Sequence, residues 1–202
     1  MMTWIYWCGW VLFGAVFRAF FGMKVIGREH LITEGPVLVI ANHQSFIDPP
    51  LVGNLYQHEI WYLARSTLFR GFGAWLYPRW NAIPVDQDKP DMASLKTVIK
   101  LLKQGKPVLI FPEGERTGSG DLAAAAPGVG LVAAKSGAPI QPIRIRGAYE
   151  ALPRDSTRIR FTRISVTIGP PIRLTPDELK QCSGKQGYDQ LAKRLMAAIA
   201  EL

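Results

Sequence analysis

Pro36-Val37-Leu38-Val39-Ile40-Ala41-Asn42-His43-Gln44-Ser45-Phe46-Ile47-Asp48 is the stretch that decides the fold. A β-prone apolar run, 36–41, stops abruptly in a polar cluster that holds a histidine and a carboxylate. The pattern returns at Val108-Leu109-Ile110-Phe111-Pro112, followed by Glu113-Gly114-Glu115-Arg116-Thr117. Further strand candidates are 59–64, 81–85, 140–145 and 163–168. Between them lie helix candidates 48–57, 66–77, 91–104, 128–136, 176–184 and 187–201. The helix 91–104 has the clearest pattern: Met92, Leu95, Val98, Ile99 and Leu102 recur at helical spacing, Asp91 suits its start and Gly105 its end. Short apolar strands alternating with such helices predict an α/β fold: a single domain with a mostly parallel or mixed sheet covered by helices. A chain of 202 residues suits one such domain.

The two strand ends offer two chemistries. His43 and Asp48 are five positions apart, about 500° of helical rotation, so one helix does not put them on a common face. They meet if the chain turns after His43 and Asp48 opens the next helix. Pro49 and Pro50 favour that start, and an acid suits a helix N-terminus. Asp48 then holds one imidazole nitrogen and leaves the other basic, a pair suited to general-base work on a substrate hydroxyl. The plain structural alternative is a histidine capping backbone and an aspartate capping a helix. Ser45 is the rival nucleophile, but it lies two residues from His43 and lacks a G-x-S-x-G elbow. His30 and His58 have no metal-ligand spacing, and no metal is expected. At the second strand end, Gly114 permits a tight turn and Arg116 supplies a fork for phosphate. The structural alternative there is a surface turn with a Glu–Arg ion pair.

Cys8 and Cys182 are the two cysteines, far apart, which argues against a disulfide framework. The net charge is +8, with Arg144, Arg146, Arg154, Arg158, Arg160 and Arg163 concentrated in one stretch. No nucleic-acid-binding signature accompanies them, so membrane phosphates or a phosphorylated substrate fit better and no nucleic acid is expected. Residues 1–22 carry no charge before Arg18 and hold Trp4, Tyr6, Trp7 and Trp10. Such a segment predicts an aromatic helix lying in one leaflet of an anionic membrane, preceding a main domain at 23–202.

Asn42-His43-x-x-x-x-Asp48 with Phe111-Pro112-Glu113-Gly114-x-Arg116, about 70 residues apart, resembles the two main motifs of the bacterial 1-acyl-glycerol-3-phosphate acyltransferase family. The likeness spans about residues 23–170. It implies His43 as general base, Asp48 as its charge partner, and direct attack of an acceptor hydroxyl on an acyl thioester. Asn42 falls with the substrate-contacting residues. Glu113, Gly114 and Arg116 resemble the block that binds the glycerol phosphate. Ile140-Gln141-Pro142-Ile143 resembles a fourth motif, with Ile140 and Pro142 serving acyl-donor binding or site shape. The resemblance further implies no tightly bound cofactor, acyl-CoA or acyl carrier protein (acyl-ACP) as cosubstrate, phosphatidic acid as product, and a place on the cytoplasmic face of the bacterial inner membrane. Two departures stand out. Gln87 occupies the position where the second motif carries an arginine, leaving Arg79 or Lys89 to replace it, and Ala125-Ala126-Pro127-Gly128 lacks the family's lysine. They keep open another lyso-lipid acceptor (a lysophospholipid or lyso-ornithine lipid) or a catalytically inactive lipid-binding protein. Trp75, Leu76 and Tyr77, or the N-terminal aromatics, are the candidates for an acyl groove.

Overall fold

The computed structural model describes residues 2–86 and 92–202. Its strands are β1 (Lys24–Ile26), β2 (Leu38–Ala41), β3 (Trp61–Arg65), β4 (Ala82–Val85), β5 (Val108–Ile110), β6 (Ile140–Arg146) and β7 (Ser165–Ile168). Its α-helices are α1 (Trp4–Phe21), α2 (Asp48–Gly53), α3 (Phe72–Arg79), α4 (Met92–Lys103), α5 (Pro127–Ser136), α6 (Ala148–Ala151), α7 (Pro176–Gln181) and α8 (Gly184–Ala200). Among the described residues the strands form one sheet in the order β1-β7-β6-β2-β5-β3-β4. Every pairing is parallel except β6 with β7, so the sheet is mixed, as the alternation of elements predicts.

Helices cover both faces, and this explains the unbroken apolar run of β2. Side chains alternate across a strand. Val39 and Ala41 join a core with Leu51, Val52, Leu109, Ile143 and Phe17 on one face. Leu38 and Ile40 join Val98, Leu102, Val132 and Leu195 on the other. Neither face is wet, so neither set of positions tolerates polar residues. Polar character returns only where the chain leaves the sheet at Asn42.

α1 is fastened to this body. Phe17 and Phe21 are buried in the core, each contributing on the order of 1.5–3 kcal/mol by leaving water. The Trp10 indole donates to the Tyr56 carbonyl at 2.9 Å, and the Asn54 amide donates to the Trp10 carbonyl at 3.0 Å. The opposite face exposes Trp4, Trp7, Val11 and Leu12. The helix is thus packed on one side and exposes apolar side chains on the other.

Several boundaries differ from the sequence reading. The helix expected at 48–57 ends at Gly53. The one expected at 66–77 is a 3₁₀ turn at Ser66–Leu68 and then α3, interrupted around Gly71. The sequence reading contained no β1 or α6. Asp91 lies outside the described residues, and α4 is described from Met92.

Candidate active site

Three adjacent parallel strands, β2, β5 and β3, aim their C-terminal ends at one cleft, the usual place for a site in such sheets. β2 delivers His43, and α2 opens with Asp48. The imidazole Nδ1 lies 2.9 Å from Asp48 Oδ2. The same oxygen accepts the backbone N–H of Gln44 at 2.6 Å and of Ser45 at 2.7 Å. Asp48 is fully buried, so three short charge-assisted contacts replace its water on that oxygen. The ring also stacks on Phe111, with centroids 3.9 Å apart and planes 13° apart. Hydrogen bond and stack together fix the imidazole, leaving Nε2 as the nitrogen available to the cavity that His43 lines.

The second strand end is wired to the first. Glu113 Oε1 accepts the His43 backbone N–H at 2.8 Å, and Oε2 accepts the Ala123 N–H at 3.0 Å. Burial pushes the Glu113 carboxyl above its ordinary range, a cost the two backbone donors oppose. Thr117 N–H donates to the His43 carbonyl at 2.9 Å, and the Gln44 amide donates to the Gly120 carbonyl at 2.6 Å. The loop after β5 thus clasps the His43 loop from both sides. Gly114, at φ 78°, makes the sharp turn between Glu113 and Glu115 that a residue with a Cβ adopts only under strain. Each Glu113 oxygen is thus engaged by backbone, and no ion pair joins Glu113 to Arg116 among the described residues.

A cavity of about 560 Å³ opens beside His43. Among the described residues its exposed rim carries Arg65, Arg116, Arg154, Glu115 and Asp155. Its inner wall carries Tyr6, Trp10 and Phe13 from α1, Tyr62 from β3, and Tyr77 and Trp80. Arg154 donates to Glu115 Oε2 and to the Arg116 carbonyl, both at 2.8 Å, while Arg116 reaches back to the Arg154 carbonyl at 3.4 Å. The Trp80 ring lies so close to α1 that a Cβ on Gly9 would sit 3.1 Å from it.

A family model described as Acyltransferase matches residues 22–146. The chain belongs to the acyltransferase family. This acyltransferase is 31% identical over 154 residues to the 1-acyl-sn-glycerol-3-phosphate acyltransferase of Bacillus subtilis, covering 75% of this chain and 74% of that protein. It is 27% identical over 199 residues to the protein of the same description from Pseudomonas aeruginosa, covering 96% of this chain and 74% of that one. The crystal structure of the 1-acyl-sn-glycerophosphate (LPA) acyltransferase PlsC from Thermotoga maritima matches the fold with a TM-score of 0.74. That match has 24% identity and covers 98% of this chain and 78% of the solved chain.

Within the acyltransferase, the residues singled out in the sequence divide into two groups. Asp48 is buried and bonded to the His43 imidazole, and His43 and Arg116 line the cavity. Asn42 does not reach it: its amide donates to the Ile145 carbonyl at 2.9 Å and accepts the Ile145 N–H at 2.7 Å. It extends the β2–β6 ladder by one side-chain rung. Arg79 turns onto its own helix, donating to the Trp75 carbonyl at 2.7 Å with its guanidinium 4.6 Å from the Trp75 ring centroid. Ile140 and Pro142 are buried in β6, opposite Leu38 and Ile40 of β2, where they shape the sheet. Ser45 is buried, and its hydroxyl donates to the Leu152 carbonyl at 2.7 Å. His58 contacts the carbonyls of Glu59 and Thr33, and His30 lies beside Glu29. Gln87 and Lys89 lie outside the described residues. Of the aromatic candidates, Tyr77 and the N-terminal Tyr6 and Trp10 line the cavity, whereas Trp4 and Trp7 face outward and Trp75 and Leu76 are not among the described lining residues.

The sequence singles out neither Arg65 nor Arg154 as a site residue, Arg154 being only one of six arginines suited to membrane phosphates or a phosphorylated substrate. Arg65 ends β3 and obeys the strand-end rule that picked out His43 and Glu113. Arg154 carried no such signal, because it arrives from the connection between α6 and β7.

Proposed function

We propose that this acyltransferase moves a fatty acyl group from an acyl thioester, acyl-CoA or acyl carrier protein, to the free sn-2 hydroxyl of 1-acyl-glycerol-3-phosphate. The product is phosphatidic acid, formed at the cytoplasmic face of the bacterial inner membrane. One observation carries the reading: a single cavity joins an oriented histidine, an arginine-bearing rim and an aromatic wall. His43 Nε2 takes the proton of the acceptor hydroxyl as its oxygen attacks the thioester carbonyl. Asp48 stabilises the imidazolium that results. Collapse of the tetrahedral intermediate expels the thiolate, which recovers the proton from His43. Arg116 and its neighbours hold the acceptor phosphate, and the aromatic wall holds the acyl chain.

The test offers purified protein an acyl thioester with lysophosphatidic acid, other lysophospholipids, lyso-ornithine lipid or water. Thiol release with diacyl product on lysophosphatidic acid is expected. Free fatty acid alone would reassign the protein as a thioesterase, and lipid binding without thiol release would make it a binding protein. Another lyso-lipid acceptor is the second reading. It draws on Glu115, whose carboxylate already neutralises Arg154 at the rim.

Two outcomes are expected of variants. Arg116→Ala removes a charge-assisted bond worth about 1.5–3 kcal/mol, raising the acceptor KM roughly 10- to 150-fold with the donor KM little changed. Equal weakening of both substrates would leave Arg116 a structural residue. Trp80→Ala opens the inner wall, so donors with longer chains gain. Each further methylene buried adds about 0.8 kcal/mol, about fourfold in kcat/KM. An unchanged chain-length profile would remove Trp80 from the acyl site.

A further inference from the structure

Besides α1 and α3, whose Phe72 and Trp75 are exposed, a further surface carries large apolar side chains in water beside exposed arginines. It is Arg158-Ile159-Arg160-Phe161-Thr162-Arg163, between α6 and β7. Ile159 is 57% and Phe161 69% exposed. Arg158, Arg160 and Arg163 are exposed too, and among the described residues none of the three sits in an ion pair. The stretch is not a loose loop. Arg160 N–H donates to the Ala151 carbonyl at 2.8 Å, Arg158 N–H to the Ser156 hydroxyl at 3.0 Å, and the Thr162 hydroxyl to the Gly147 carbonyl at 3.1 Å. The backbone is pinned while the apolar side chains stand out, an arrangement that needs a cover.

The position of the stretch suggests what covers it. Phe161 stacks on Phe20 near the end of α1, with centroids 5.3 Å apart, and Phe20 is itself 54% exposed. The apolar face of α1 therefore continues into this stretch. Its other end follows Arg154 and Asp155 at the rim of the cavity. Cations interleaved with apolar side chains suit a surface that presents phosphates above hydrocarbon. A second copy of the chain is a poorer fit, since it would set these arginines against arginines.

We propose that residues 158–163 are a second bilayer contact, specific for anionic lipid, that seats the cavity rim on the membrane beside the end of α1. This rests on the reading of a membrane-borne acceptor. α1 supplies apolar insertion whatever the headgroup, and the arginines supply the preference for negative charge.

The experiment floats the full chain with vesicles of phosphatidylcholine alone and of phosphatidylcholine mixed with phosphatidylglycerol. The triple variant Arg158→Gln, Arg160→Gln, Arg163→Gln should lose partitioning onto the mixed vesicles by on the order of a hundredfold, about fivefold per arginine. Its partitioning onto phosphatidylcholine, and its acyl transfer to acceptor dispersed in detergent, should match the parent. Ile159→Ser with Phe161→Ser should weaken partitioning onto both vesicles. Parental binding by the triple variant to mixed vesicles overturns the proposal. So does a concentration-dependent dimer that the same substitutions abolish without vesicles, which would assign the surface to a second copy. The detergent assay keeps the two readings apart: absent transfer in the parent, with arginine-dependent flotation intact, would overturn the activity and leave the contact standing.

Discussion

Replacing His43 with alanine is expected to lower turnover by about 10²–10⁴-fold while the protein stays folded, the usual contribution of a positioned general base. The imidazole is held by Asp48 at 2.9 Å and by its stack on Phe111. Asp48→Asn should approach the same loss. The Gln44 and Ser45 amides retain an acceptor, but the charge that stabilises the imidazolium disappears. Ser45→Ala is the control. It removes a bond to the Leu152 carbonyl and so touches stability, with the chemistry intact. The measurement is single-turnover thiol release, read beside a thermal melt of each variant. A folded His43→Ala protein that transfers at the parental rate would remove the base from the mechanism.

Asn42→Ala should act on stability first. The side chain makes two bonds to the backbone of Ile145 across the sheet, both buried. Removing it strands an N–H and a carbonyl where water does not reach, costing about 1–3 kcal/mol for each group left unsatisfied. In a domain of this size the melting point falls roughly 2–4 °C per kcal/mol. Turnover should fall as well, because Asn42 sets the exit of the chain from β2 into His43. The discriminating result is an unchanged melting point with only the acceptor KM raised, which would return Asn42 to the substrate.

The sheet was legible because its central strands are dry on both faces. β2 and β5 read as apolar runs that stop at charged residues, and chemistry was expected at those stops. β1 was not legible: three residues at an edge, Lys24-Val25-Ile26, carry too little pattern, and their partner β7 lies some 140 residues away. The site divides along the same line. His43 and Asp48 are local to each other, so spacing and proline placement allow their contact to be read as one of two alternatives, and the contact is present. Arg154 meets Glu115 and Arg116 across 38 or 39 positions, and only the path from α6 to β7 brings them together. Asn42 and Glu113 are legible as candidate site residues, but their bonds to the backbone of Ile145, His43 and Ala123 are not. Composition does not tell a polar group aimed at a ligand from one aimed at a neighbouring backbone.

α1 has two faces with different duties. Tyr6, Trp10 and Phe13 wall the cavity, while Trp4, Trp7 and Leu12 look outward. The helix is therefore not an exchangeable cassette. Exchanging it for a generic apolar helix would remove one side of the cavity and leave Trp80 without the backbone it lies against. If the proposed function holds, directed evolution of chain-length preference and of membrane attachment would draw on the same eighteen residues, and a library built on α1 should be screened for both traits at once.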